Sequence, residues 1–127
     1  MQSNLAYNTY QQNSIQVESP FKLVEMLYEG ILRFTTRARR SIEKNDIEKR
    51  VYWINRASAI FTELIHTLDY ENSPEIAEYL NGLYAYQLQL LGEANAHNEI
   101  SKLNTVNGVV KGLLEAWRES IQNELDQ

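Results

Sequence analysis

The chain contains only two prolines, each directly after a serine, Ser19-Pro20 and Ser73-Pro74, and each pair opens a long run with apolar residues every three or four positions. Serine caps a helix N-terminus with its hydroxyl, and proline at the next position gives up an N–H that the first turn leaves unbonded in any case. From Pro20 the run passes through Val24, Leu27, Tyr28, Ile31, Phe34, Ala38 and Ile42, which predicts a helix over 20–43. Asn45, with Glu48 three residues on as a capping-box partner, is expected to open the next helix, over 46–70. Its stripe is Ile47, Val51, Ile54, Ser58, Phe61, Ile65 and Leu68. A third helix over 74–95 carries Ile76, Leu80, Leu83, Gln87, Leu90 and Ala94 on one face, and a fourth over 99–124 carries Leu103, Val106, Val110, Leu113, Trp117 and Ile121. Connections of a few residues force consecutive helices to run antiparallel. The expected fold is all-α, an up-down-up-down four-helix bundle over 19–127 with an irregular N-terminal cap segment over 1–18.

Composition fits that expectation and removes several functions. A chain of 127 residues, 43% of them hydrophobic, holds a single core-forming domain. Cysteine is absent, so thiolate zinc sites and thiol nucleophiles are excluded. No window approaches the roughly 20 apolar residues of a spanning helix, and residues 1–16 lack the pattern of a secretory signal. The protein is therefore expected to be cytoplasmic and not membrane-embedded. Its net charge of −5 disfavours non-specific binding to nucleic acid.

Catalysis finds little to work with, and the expected reading is not an enzyme: no catalytic residues, no cofactor and no metal site. The two histidines, His66 and His97, are far apart in sequence. His97 follows Glu93 by four residues, which reads as a solvated pair on one helix face rather than half of a metal site. The glycines are scattered through helices and form no phosphate loop; Gly82, Gly92, Gly108 and Gly112 each cost about 1 kcal/mol relative to alanine. Close helix packing explains them, as does room for a partner's backbone; close packing is favoured. A bundle with a lone histidine also resembles a phosphotransfer domain, but His66 is followed by Thr67, Leu68, Asp69 and Tyr70 rather than by lysine and glycine.

Two surfaces stand out. Beside the main stripe of the second helix runs another apolar row, Trp53, Ala57, Ile60 and Leu64. Together the two rows span about 180°, against about 100° for an ordinary bundle helix. The surplus predicts a groove for an amphipathic partner helix, and the third helix is also broad, with Tyr79, Tyr84, Tyr86, Leu88 and Leu91 flanking its main stripe. On that reading, aspartate at Ile60 or Leu64 weakens partner binding and leaves the bundle helical. Residues 33–50 also concentrate seven Lys/Arg against three acids, a local charge of +4 against −9 for the remainder. These basic groups are expected at one end of the bundle, as a solvated cap of the first helix or a dock for an acidic protein surface. Without an aromatic platform, nucleic acid is a weak third.

Residues 1–18 lack helical periodicity but contain Leu5, Tyr7, Tyr10, Ile15 and Val17. Tyr7-x-x-Tyr10-Gln11-Gln12-Asn13-Ser14-Ile15, followed by Ser19-Pro20 and Leu23-Val24-Glu25-Met26-Leu27-Tyr28-Glu29-Gly30, resembles the FliS family of flagellar secretion chaperones. Leu83-Tyr84-Ala85-Tyr86, Ala94-Asn95 and Ala116-Trp117-Arg118 extend the resemblance over almost the whole chain. It implies an ATP-independent cytoplasmic bundle that binds the C-terminal segment of flagellin, prevents premature polymerisation and delivers it to the type III export gate. It also implies that the N-terminal motif, with Tyr7, Tyr10 and Ile15, docks on the cytoplasmic domain of the export gate. The flagellin groove is then assigned to Trp53, Ala57, Ile60, Leu64, Leu83 and Tyr84, with residues 1–18 as a displaceable cover. A co-chaperone or flagellar regulator is a further possible partner. The alternatives are a phosphotransfer-like signalling bundle and a generic helical adaptor.

Overall fold

Helix boundaries follow from capping chemistry. The computed structural model describes residues 19–126; the expected cap segment, with Tyr7, Tyr10 and Ile15, lies outside the described residues. Helix α1 runs from Pro20 to Glu43, and the Ser19 hydroxyl accepts from the Lys22 N–H at 3.3 Å. Helix α2 spans Ile47–His66, α3 Pro74–His97 and α4 Ile100–Leu125. Asp46, rather than Asn45, caps α2, its carboxylate accepting from the Lys49 N–H at 3.1 Å. Asn45 instead adopts φ 56°, the left-handed conformation that ends α1, and Asn98 ends α3 in the same way. Asparagine tolerates this region better than most residues, so each asparagine terminates a helix instead of starting one.

Helix α2 also stops at His66, short of the expected 70. The Asp69 carboxylate takes the Glu71 and Asn72 backbone N–H groups at 3.1 and 3.0 Å, and this side-chain turn competes successfully with another helical turn. Ser73 stands at the N-cap position of α3 but makes no side-chain cap bond there.

Among the described residues the four helices form a closed ring, α1 on α2, α2 on α3, α3 on α4 and α4 back on α1. The last seam holds the ring shut. The Trp117 indole N–H donates to the Phe21 carbonyl at 2.8 Å, and the two rings lie 5.4 Å apart. Arg118 bridges Glu25 at 2.8 Å and Glu29 at 3.1 Å. The Arg118 and Lys22 cations hold the Glu25 carboxyl below its ordinary range. Midway along, the Asn107 amide donates to the Thr35 hydroxyl at 2.9 Å, satisfying a polar pair at the seam.

Inside the ring, Leu27, Ile31, Ile54, Phe61, Leu91, Leu103, Val106 and Val110 are fully buried. The Tyr28 and Tyr84 hydroxyls meet across the core at 2.6 Å, joining the diagonal helices α1 and α3. Burial pushes both phenols above their ordinary range. On α3 the buried face is Ala77, Tyr84, Gln87, Leu90, Leu91 and Ala94, while Ile76, expected in the core stripe, is exposed. Gln87 donates to the Leu83 carbonyl at 3.2 Å.

The second apolar row of α2 is part of this core. Ala57, Ile60 and Leu64 are buried, Ile60 at 5% and Leu64 at 1% exposure. Trp53, at the head of the row, stacks on Phe34 of α1 with ring centroids 5.5 Å apart. Leu64, near its foot, borders the same cleft as Val24 and Tyr28 of α1. A helix at the corner of a ring packs against two neighbours in different directions, so the bundle itself uses the unusual apolar width.

Two outcomes follow. Aspartate at Ile60 or Leu64 places a carboxylate in the core and unfolds the bundle, contrary to the expectation from sequence; circular dichroism measures it. Tyr84→Phe leaves the Tyr28 hydroxyl without its partner and costs about 1–3 kcal/mol in denaturant unfolding, whereas Tyr28→Phe/Tyr84→Phe recovers most of that loss. The unfolded chain releases phenolic protons near pH 10 and the folded chain retains them. Stability is therefore full below about pH 10, falls as pH rises beyond it, and falls less steeply in the double variant.

Candidate partner-binding face

Exposed apolar residues form a row on α3. Ile76, Tyr79, Leu83 and Tyr86 recur at steps of three, four and three residues, the spacing of one helix face. Ile76, Tyr79 and Tyr86 are 62%, 69% and 54% exposed, and Leu83 is half-buried beside them. Isolated exposed apolar residues are ordinary, but a row of them is not.

Sequence spacing and one ion pair show which seam this row follows. Tyr79, Tyr86 and Glu93 are seven residues apart and form one column, since seven residues fall only about 20° short of two helical turns. Glu93 pairs with Lys102 of α4 at 3.4 Å. Lys102, Val109 and Ala116 form the matching column on α4, again seven residues apart. In antiparallel helices the two columns therefore flank the α3–α4 seam, with tyrosines on one side and small apolar residues on the other. This seam is the least extensive of the four in the ring. Tyrosine suits such a place because its ring body is apolar and its hydroxyl stays in water.

Gly112 lies three residues after Val109 and four before Ala116, on the same patch of α4. A Cβ at Gly112, or at Gly108 one turn before, meets nothing within 4 Å, and the same holds at Gly82 and Gly92. Close helix packing, the reading favoured from sequence, does not account for these glycines. Room for a partner's backbone remains.

At the α3 N-terminus the row meets a largely apolar cleft of about 190 Å³, bordered by Tyr28, Leu64, Leu68, Ile76, Leu80 and Trp117, among others. The two features form a continuous apolar path from the end of the bundle along the α3–α4 seam.

Of the six residues assigned to a groove from sequence, Ala57, Ile60, Leu64 and Tyr84 are buried. Trp53 is half-buried on the α1 side. Leu83 alone belongs to the exposed row. Tyr79 and Tyr86 were visible in sequence as flanking aromatics, but their heptad match to Lys102, Val109 and Ala116 gives them a common seam.

The histidines do not assemble a site. His66 is exposed in the last turn of α2, and His97 is exposed at the end of α3. Glu93, expected to pair with His97, pairs with Lys102. Among the described residues no group of three or more His, Cys, Asp or Glu is placed to hold a metal ion, and no helix is long and apolar enough to cross a membrane.

Comparison with known proteins gives a consistent family. A family model described as "Flagellar protein FliS" matches residues 2–124. The chain is 59% identical over 124 residues to a flagellar secretion chaperone FliS of Campylobacter jejuni subsp. jejuni, covering 98% of this chain and 97% of that protein. It is 35% identical over 118 residues to the FliS of Bacillus subtilis, covering 93% and 87%. A solved structure titled "Crystal structure of flagellar chaperone from bacteria" matches with a TM-score of 0.78 at 19% identity, covering 94% of this chain and 97% of that one, which supports the fold. The chain belongs to the FliS family of flagellar secretion chaperones.

Proposed function

We propose that this protein is a cytoplasmic chaperone that binds the C-terminal segment of flagellin along the α3–α4 face, keeps it from polymerising and delivers it to the flagellar export gate. The observation carrying this reading is the exposed row Ile76, Tyr79, Leu83 and Tyr86, continuous with the apolar cleft at its end. An amphipathic segment that folds on binding lays its apolar face into such a path and covers a large area for a small chaperone. Gly108 and Gly112 let the incoming backbone approach α4 closely, which offsets their cost to helix stability. Polymerisation is then blocked by occupancy, and release at the gate needs no cofactor or covalent chemistry. The function is that of a binding protein rather than an enzyme.

The path replaces most of the α2 row as the proposed site, because Ala57 and Ile60 are inside the bundle and Trp53 is stacked on α1, while Leu64 borders the cleft at the end of the path. Residues 1–18 keep the two roles expected of them, a displaceable cover for apolar surface and export-gate docking through Tyr7, Tyr10 and Ile15. Phosphotransfer has no comparable support. The family is one of chaperones, and His66 stands at a helix end with no lysine or glycine in the four residues that follow.

Tyr79→Asp/Tyr86→Asp weakens binding of a flagellin C-terminal fragment by about 1–2 kcal/mol per tyrosine, while circular dichroism and melting temperature stay close to those of the parent. Titration calorimetry measures the loss, and unchanged affinity places the site elsewhere. Deleting residues 1–16 raises binding of an apolar dye or induces self-association; unchanged behaviour rejects the cover.

A further inference from the structure

The excess of positive charge in residues 33–50 takes a broader form than the one expected of it. It gathers toward the α1–α2 turn, as expected, but extends from there along one face as far as Arg33. Arg33, Arg37, Arg40 and Lys44 step along α1 at four, three and four residues, a single exposed stripe about 16 Å long at 1.5 Å per residue. Lys49 and Arg56 stand one heptad apart on α2, with Trp53 between them. Arg39 and Arg50 are employed within the bundle, bonding Asn104 and the Asn95 and Asn98 pair respectively.

Aromatic rings underlie this stripe. Phe34 and Trp53 stack at 5.5 Å, and Tyr52 meets Trp53 edge-on at 4.7 Å. The Arg37 guanidinium lies over Trp53 at 4.7 Å, while those of Arg33 and Arg56 lie over Phe34 at 5.2 and 4.9 Å. Arg56 also covers Tyr52 at 5.5 Å. A guanidinium lying against a ring loses rotational freedom but keeps its N–H donors available at the edge, prepared for a carboxylate. Among the described residues, none of Arg33, Arg37, Arg40, Lys44, Lys49 and Arg56 has an acidic partner within 4.0 Å. Arg37, Arg40, Lys44, Lys49 and Trp53 border a cleft of about 160 Å³, in which Asp46 is the one acid among the described residues. The Asp46 carboxylate is engaged as the α2 N-cap.

We infer that the α1–α2 face is a second docking surface, separate from the α3–α4 path, and that its occupant is an acidic helical segment of another protein. Cations at four-, three- and four-residue steps match glutamates or aspartates at i, i+4 and i+7 on one face of a helix laid along the α1–α2 seam. Charge complementarity singles out this face, because the chain outside residues 33–50 carries −9 and repels the same segment. The geometry disfavours nucleic acid. Phe34 and Trp53 are stacked on each other and guanidiniums lie over both rings, so neither ring offers an open face to a base.

The full-length protein is titrated with a fluorescent alanine-based helical peptide carrying glutamates at i, i+4 and i+7, and with the same peptide carrying glutamines. The glutamate peptide binds and weakens with added salt, and the glutamine peptide binds at least about tenfold less tightly. Arg37→Glu/Arg40→Glu lowers affinity by about tenfold or more, whereas Lys111→Glu on α4 leaves it unchanged. If the double charge reversal loses helicity, Arg40→Gln/Lys44→Gln gives the same reading without adding negative charge. Equal binding of the two peptides, or insensitivity to both double variants, overturns the inference. Tighter binding of oligothymidylate or phosphatidylglycerol vesicles through Arg37 and Arg40 overturns it as well, by assigning the face to a phosphate ligand.

Discussion

Two phenol hydroxyls 2.6 Å apart in the core set the constraint on which the bundle's arrangement depends. Helices α1 and α3 lie diagonally across the ring, so side chains must reach through the centre to connect them. Tyr28 and Tyr84 do this with polar atoms, and a buried hydroxyl that misses its partner is costly. Sliding one helix along the other separates the pair, whereas Leu27, Ile31 and Leu91 tolerate small shifts with only a loss of packing. The pair thereby fixes the relative height of α1 and α3. The α4–α1 seam, through Trp117, Arg118 and Asn107, then closes the ring at that height.

Closure divides the outside into unlike faces. The α1–α2 side carries arginines seated on aromatic rings, and the opposite α3–α4 side carries tyrosines beside small residues. The first is chemically suited to carboxylates and the second to an apolar helix face. Two faces of different chemistry on one small bundle share no contacts, which is compatible with the two docking roles proposed for them. Such an arrangement suits a protein that must hold one partner while being recognised by another.

Much of the fold was legible because a helix repeats its environment every 3.6 residues. The Ser-Pro starts placed α1 and α3 correctly, and the stripes through Leu27, Ile54, Leu90 and Val106 marked core faces. Caps were less legible. Asn45 and Asp46 are both good capping residues, and only the left-handed turn at Asn45 settles which of them starts α2. The end of α2 depends on Asp69 capturing backbone N–H groups that lie after it, a competition that periodicity does not report.

The candidate site was less legible for a related reason. Sequence reveals how wide an apolar surface is but not how many neighbours share it. Trp53, Ala57, Ile60 and Leu64 made α2 look oversupplied, yet its corner position sets that row against α1, with Trp53 stacked on Phe34. The exposed row on α3 is harder to read from sequence because tyrosines mixed with polar residues look like an ordinary helix flank. By itself the sequence determined four helices, their antiparallel order, the family and the absence of thiol chemistry, since these follow from local spacing, short connections and residue identity. Tertiary structure alone decided which apolar rows face inward and which cations are seated on aromatic rings. Both depend on the rotation of each helix about its axis, and that is set by neighbours distant in the chain.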